Sequence, residues 1–159
     1  MQLKKLLEQW DLNSLKIKAG FLEMEWIPQI EDKSAAWDLY AEMLTRVVTQ
    51  RLVPGQDQEA DVLNSAYQLF PLTRDIIKRN GRHCINFAKI AIVVLNQIVR
   101  PFTTKWHTQL EGGGVRSEPQ ALEFRNDLVR LQTDLRKYAR LLADLAEVED
   151  LTDLEQVEG

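Results

Sequence analysis

The strongest pattern in the chain lies near its C-terminal end. Ala121, Phe124, Leu128, Leu131, Leu135, Tyr138, Leu142 and Leu145 recur at alternating three- and four-residue intervals, which on a 3.6-residue helix draws one apolar seam. The spacing predicts a helix of about 25 residues, roughly 37 Å at 1.5 Å per residue. Such a seam requires another helix along its length, either in this chain or in a partner. At the other end, Leu3, Leu6, Leu7 and Trp10 have helical spacing in a segment too short to stand alone.

Between residues 15 and 26 the period changes. Leu15, Ile17, Ala19 and Phe21 alternate, and after a one-residue slip Leu22, Met24 and Trp26 alternate as well. A period of two predicts a bulged strand or small hairpin centred on Ala19-Gly20, with a helix over residues 15–24 as the alternative. A lone hairpin is marginal in water and has to lean on helices or pair with a partner's strand. Pro28 closes the segment.

Asp32 or Ser34 is placed to cap a helix carrying Ala36, Leu39, Tyr40, Met43, Leu44, Val47 and Val48 on one stripe, and Pro54-Gly55 stops it before a polar turn at residues 56–58. The next helix carries Val62, Ala66, Leu69 and Phe70 and meets Pro71, which removes a backbone bond and kinks or breaks it. A second piece over residues 72–79 ends at Asn80-Gly81, a pair suited to a left-handed C-terminal cap. Residues 84–99 are the most apolar stretch: Cys84, Ile85, Phe87, Ala88, six apolar residues from Ile90 to Leu95, Ile98 and Val99. Their length favours a helix over a buried strand, and a helix apolar nearly all round belongs at a bundle centre or under a partner. Pro101 bends it toward Phe102, Trp106 and Leu110. Glu111-Gly-Gly-Gly-Val115, with Arg116 to Pro119, predicts an exposed loop. The sum is a mainly all-α protein: a bundle of about five helices with proline kinks at Pro71 and Pro101, residues 85–99 at its centre, and a small N-terminal β element.

Composition adds bounds rather than identity. With 45% hydrophobic and 28% charged residues over 159 positions, the chain has ordinary globular usage and enough length for a real core. Cys84 is the single cysteine, so no internal disulfide forms and no multi-cysteine zinc site is available. With no uninterrupted apolar run of about 18 to 20 residues and no signal-peptide pattern at the N-terminus, a cytoplasmic protein with no membrane association is expected.

Charge is unevenly distributed. Residues 143–159 hold seven acids and no Lys or Arg, leaving 20 basic and 17 acidic side chains elsewhere. The expected organisation is one helical domain over residues 1–147 and an acidic tail over residues 148–159. The tail serves as a solvated end or docks on a basic surface of this chain or another. Residues 71–116 contain Arg74, Lys78, Arg79, Arg82, Lys89, Arg100, Lys105 and Arg116 against only Asp75 and Glu111. That excess suits phosphate or an acidic partner, and equally a solvated helix face with cations at helix C-termini. Arg74, Lys78, Arg79, Arg82, Arg100, Lys105 and Trp106 are the candidate phosphate- or partner-binding residues; Leu128, Leu131, Leu135, Tyr138 and Leu142 are the candidate docking seam.

Catalytic chemistry is sparse. His83, Cys84 and His107 are the only side chains of soft metal-ligand type, but the two histidines stand 24 residues apart, roughly 36 Å on a straight helix. No metal or cofactor is expected. Cys84 beside cations near a helix start is a candidate activated thiol or, alternatively, a small buried hydrophobe.

The segment Arg100-Pro-Phe-Thr-Thr-Lys-Trp-His107 resembles the R-x(4–6)-H motif of HEPN-type ribonucleases. The resemblance implies that Arg and His from two subunits meet across a dimer and cleave RNA without a metal, Arg100 holding the scissile phosphate and His107 moving protons. It covers eight residues of 159, and Pro101 stands where that family favours a polar residue. The same segment, with Ala35-Ala-Trp-Asp-Leu-Tyr40, Thr45-Arg-Val-Val-Thr-Gln50 and Phe124-Arg-x-Asp-Leu, is similar to small helical bacterial proteins of defence-type gene neighbourhoods, a likeness that carries no assigned chemistry.

The seam outweighs any catalytic signal. The expected function is therefore a non-enzymatic helical subunit or adaptor of a larger cytosolic assembly, joined by helix packing to a protein partner or to further copies of itself. An RNA-binding helical subunit or a HEPN-like ribonuclease using Arg100 and His107 is the alternative.

Overall fold

The computed structural model describes residues 1–49, 59–110 and 117–155. Among these, the helices are α1 (Leu3–Gln9), α2 (Ala19–Glu23), α3 (Ile30–Met43), α4 (Glu59–Asn80), α5 (Ile85–Val94), α6 (Arg100–Leu110) and α7 (Glu118–Ala146), with a 3-10 turn at Val47–Thr49 and a π-helical turn at Leu95–Val99. Residues 50–58 and 111–116 lie outside the described residues, but two expected boundaries move: the helix expected to run to Pro54-Gly55 already ends at Met43, with Val47 and Val48 in the separate 3-10 turn, and Glu118 and Pro119, expected in the exposed loop, instead open α7. The protein is an all-α bundle.

The most extensive pairing is between α3 and α7. They run antiparallel: Lys33 near the start of α3 meets Glu147 just past α7 at 2.8 Å, while Arg136 inside α7 donates to the Thr49 carbonyl beyond α3. Ser117 starts α7 by accepting the Gln120 N–H on its side-chain oxygen, as an N-cap serine does. Phe124, Leu128, Leu131, Leu135, Tyr138, Leu142 and Leu145 are all buried, so the seam is filled within this chain. Off the seam, Arg130 is exposed, whereas Asp134 and Lys137 are half-buried; Lys137 is drawn in by Asp11 at 2.8 Å.

One proline expectation needs correction. Pro71 does not divide α4 into two pieces; the helix runs through it from Glu59 to Asn80. At Pro101 the chain also stays helical, because the turn before it widens: the Arg100 N–H reaches the Leu95 carbonyl five residues back. In α geometry the Pro101 ring would crowd the carbonyl four residues earlier, and a π turn relieves that crowding. Gly81 does take the left-handed conformation, φ 85°, closing α4 and turning the chain back. The returning helices lie alongside α4, with Tyr67 Oη donating to the Thr103 carbonyl at 3.2 Å.

The expected N-terminal β element is absent among the described residues. Residues 19–23 form the short helix α2, in line with the helical alternative there. Among the described residues the one ladder-like contact is an isolated antiparallel bridge between Gln2 and Glu25. The Leu3 N–H donates to the Met24 carbonyl, so the extended piece after α2 satisfies its backbone on the chain's first residues rather than on its own neighbour. Leu12, Leu15 and Trp26 are buried while Phe21 is exposed; the alternating pattern does not mark one face.

The capping expectation for α3 also shifts. Gln29 is the N-cap, and Asp32 sits three residues into the first turn with its carboxylate accepting the Gln29 N–H at 2.7 Å. The other oxygen accepts the Phe87 N–H at 2.8 Å, and Asn86 Nδ2 reaches Oδ2 at 3.3 Å. One fully buried carboxylate thus joins the starts of α3 and α5, where both helix dipoles favour a negative charge.

By length and composition, one helix among the described residues, Ile85–Leu110, is apolar enough to cross a membrane. In the bundle it is the core helix, burying Phe87, Ile90, Ala91, Val94, Val99, Phe102 and Trp106. Tyr138 shows one imperfection: its hydroxyl is enclosed and makes no hydrogen bond, and burial alone raises its pKa. Tyr138→Phe is therefore expected to stabilise the protein by about 1 kcal/mol, because a buried unsatisfied polar group is removed and the ring is kept. A shift of the urea midpoint upward with unchanged slope checks it.

Candidate functional site

The candidate residues separate into three groups. The seam forms the first: Leu128, Leu131, Leu135, Tyr138 and Leu142 are core residues packed within this chain, and a partner cannot reach them without unfolding α7.

The second group belongs to structural polar contacts. Lys105 lies 2.7 Å from Glu123 and 2.6 Å from Asp127, and these two carboxylates raise its pKa. Trp106 is fully enclosed, donates Nε1 to the same Asp127 at 3.0 Å and packs edge-on to Phe124 at 4.9 Å between centroids. Both side chains therefore join α6 to α7 and drop out of the candidate phosphate surface. Arg79 pairs with Asp38 at 3.3 Å. Cys84 is buried at the start of α5, and desolvation first, then Asp32, pushes its thiol pKa up. That excludes the activated thiol, since reactivity needs the thiolate.

The third group is open to solvent. Arg74, Lys78, Arg82, Arg100 and His107 are all exposed. Arg100 stacks its guanidinium 4.7 Å from the centre of the Phe70 ring and donates to Asn96 at 3.3 Å. His107 lies edge-on to Tyr67 at 5.8 Å. Arg100 and His107 thus share the α4-facing side of α6, two turns or about 10.5 Å apart along the axis. Residues 85–110 contain no Asp or Glu, which leaves this side cationic. Among the described residues no group of three or more His, Cys, Asp or Glu side chains comes together; His83 and His107 lie at opposite ends of the Ile85–Leu110 span.

A further surface did not stand out from the residue pattern. Ile27, Ile30, Ile85, Ile92 and Phe21 are exposed, Ile30 to 82% of its full area. Asn86 Nδ2 donates to the Ile27 carbonyl at 3.0 Å, and the Asp32 bond to Phe87 fixes the first turn of α3 beside that of α5. Phe21 lies under Lys89, whose ammonium is 5.4 Å from the ring centre and one turn from both Ile85 and Ile92. Ile27, Ile30 and Ile85 thus lie at the joined starts of α3 and α5, Phe21 and Ile92 lie near Lys89 further along α5, and Trp37, itself half exposed, stands two turns along α3 from Ile30. Scattered exposed hydrophobes are ordinary, but a contiguous group marks an interaction surface. Ile85 and Ile92 were hidden in the sequence within a run apolar on every face.

No protein-family model, no curated protein and no solved structure matches the chain.

Proposed function

We propose that this protein is a non-enzymatic helical interaction subunit of a larger cytosolic assembly, docking through the apolar surface of Phe21, Ile27, Ile30, Ile85 and Ile92. The observation that carries the reading is the fixed clustering of these exposed side chains around the buried Asp32 link. A rigid patch of this kind loses little conformational entropy on binding. The role expected from the sequence is kept, but the docking surface moves from the α7 seam to the joined starts of α3 and α5. The likeness to proteins of defence-type gene neighbourhoods makes a bacterial defence complex the setting to examine first.

The test is a double substitution, Ile30→Asp with Ile85→Asp, in a tagged full-length chain expressed in its own host. Loss of the higher-mass complex on native size exclusion is expected, with the melting midpoint of the isolated chain moved by no more than about 2 °C, since exposed substitutions stay within ±0.5 kcal/mol. An unchanged complex would overturn the reading. Sedimentation of the purified chain distinguishes a second copy from a different partner.

A second reading rests on the cationic side of α6. An RNA-binding role would use Arg74 and Arg100 on phosphate with His107 beside them, and the HEPN resemblance would add cleavage. Binding should then weaken steeply with salt, Arg74→Ala with Arg100→Ala should lower the salt slope by about 2, and His107→Ala should abolish cleavage with the fold intact. No binding at low salt ends this reading.

A further inference from the structure

Beyond α7 the chain turns back on itself. Glu147 adopts the left-handed conformation, φ 59°, which disfavours a residue bearing a Cβ, and its carboxylate is held by Lys33. Residues 148–155 then cross the junction of α3 and α7. Beneath them the Tyr40 hydroxyl accepts the Leu151 N–H and lies 3.3 Å from Asp150 Oδ1 and 3.4 Å from the Glu149 carbonyl, either of which accepts its proton. Arg140 holds Asp153 at 2.8 Å and approaches Asp150 at 4.0 Å. Thr152 lines a small cavity of about 30 Å³ with Met43, Leu135 and Arg136.

The segment is held by charge and hydrogen bonds, not by apolar burial. Leu154 is 73% exposed, and Val148 and Leu151 also remain open to solvent. Contacts of this kind are weak and screened by salt. The surface below is complementary in charge: Lys33 pairs with Glu147, and Arg140 faces Asp150 and Asp153. Tyr40 contributes one acceptor and one donor to main-chain and carboxylate groups, so it recognises an acidic peptide without requiring this particular one.

We propose that the Tyr40–Arg140 surface is a docking site for an acidic segment of a partner protein, and that residues 148–155 occupy it as a built-in stand-in which the partner displaces. The site adjoins the far end of the Ile30 and Ile85 surface, Trp37 lying 6.3 Å from the Tyr40 ring, but none of the contacts that hold residues 148–155 uses Ile30 or Ile85, and the inference stands whether or not that surface docks a partner. Tethering gives the stand-in a high effective concentration. A free peptide competes poorly until the tether's own contacts are weakened.

The experiment titrates a fluorescein-labelled synthetic peptide with the sequence of residues 148–155 into three full-length proteins, followed by anisotropy: the unaltered chain, Asp150→Asn with Asp153→Asn, and those two changes with Arg140→Gln. The double variant is expected to bind the peptide at least about tenfold more tightly than the unaltered chain. Adding Arg140→Gln should remove that gain, and raised salt should weaken binding to the double variant. Circular dichroism melts verify that all three fold. Equal binding by the unaltered chain and the double variant, persistence of the gain without Arg140, or no detectable binding to any of the three would each overturn the proposal.

Discussion

Asp32→Ala is expected to lower the unfolding free energy by about 2 to 4 kcal/mol, the largest effect of any polar substitution in the described structure. The carboxylate is fully buried and accepts the Gln29 and Phe87 N–H groups and the Asn86 amide. Alanine leaves the buried Phe87 N–H with no acceptor, at about 1 to 3 kcal/mol, and removes a negative charge from two helix starts, at roughly 0.3 to 1 kcal/mol each. Asp32→Asn keeps one acceptor oxygen but turns an NH2 group toward donors, so it should recover only part of the loss. Urea unfolding gives the energies, and Cys84 supplies a local readout. Its buried thiol sits immediately before α5, so Asp32→Ala should speed its reaction with a disulfide reagent under native conditions. A loss below about 1 kcal/mol with unchanged thiol reactivity would mean that the link between α3 and α5 is incidental.

Leu135→Ala should cost about 2 to 5 kcal/mol, the range for a buried leucine whose removal leaves a cavity. The upper half is expected, because Leu135 already lines the small cavity with Met43 and Ala139, and the vacated space would join it instead of closing. Leu135→Asp should prevent folding, since a carboxylate there has no partner and no water. If the seam instead served an external helix, the isolated protein would tolerate both changes and only its assembly would fail. Thermal melts of the isolated chain decide between these outcomes.

The two predictions differ in how far the sequence foretold them. The α7 seam was legible because its signal is local: seven turns of consistent spacing outvote any tertiary influence, whereas the Ser117 cap was hidden in what read as a loop. Asn80-Gly81 was legible for the same reason, since a left-handed cap is written in adjacent residues. Which surface the seam meets was not local information. Leu135 fits a partner helix and α3 equally well as a pattern. Asp32 was visible as a helix-start residue, but its second role depends on Phe87, 55 positions away, being brought alongside. Lys105 and Trp106 were misassigned for a related reason, because their partner Asp127 lies on another helix.

Residues 15–26 illustrate the opposite failure. Alternation of apolar residues over so short a stretch is a weak signal, and pairing of residues 24–26 with residues 1–3 overrode it. At Pro71 the local rule was correct about the missing hydrogen bond, but the helix is not divided into two pieces. A long helix gripped by neighbours along its length absorbs one lost bond, and at Pro101 the π turn shows where the adjustment is made. Of the candidate sites, the cationic side of α6 was legible from composition; the apolar surface was not, because exposure of Ile30 and Ile85 follows only from where α3 and α5 meet.

The α7 seam completes its packing inside this chain, and the starts of α3 and α5 carry an open apolar surface. Hydrogen exchange read by mass spectrometry on the isolated protein tests it most directly. Amides of residues 124–145 are expected to be among the slowest in the molecule, opening only with global unfolding. Exchange of that segment at the rate of an unstructured peptide, slowing only when a partner is added, would contradict it.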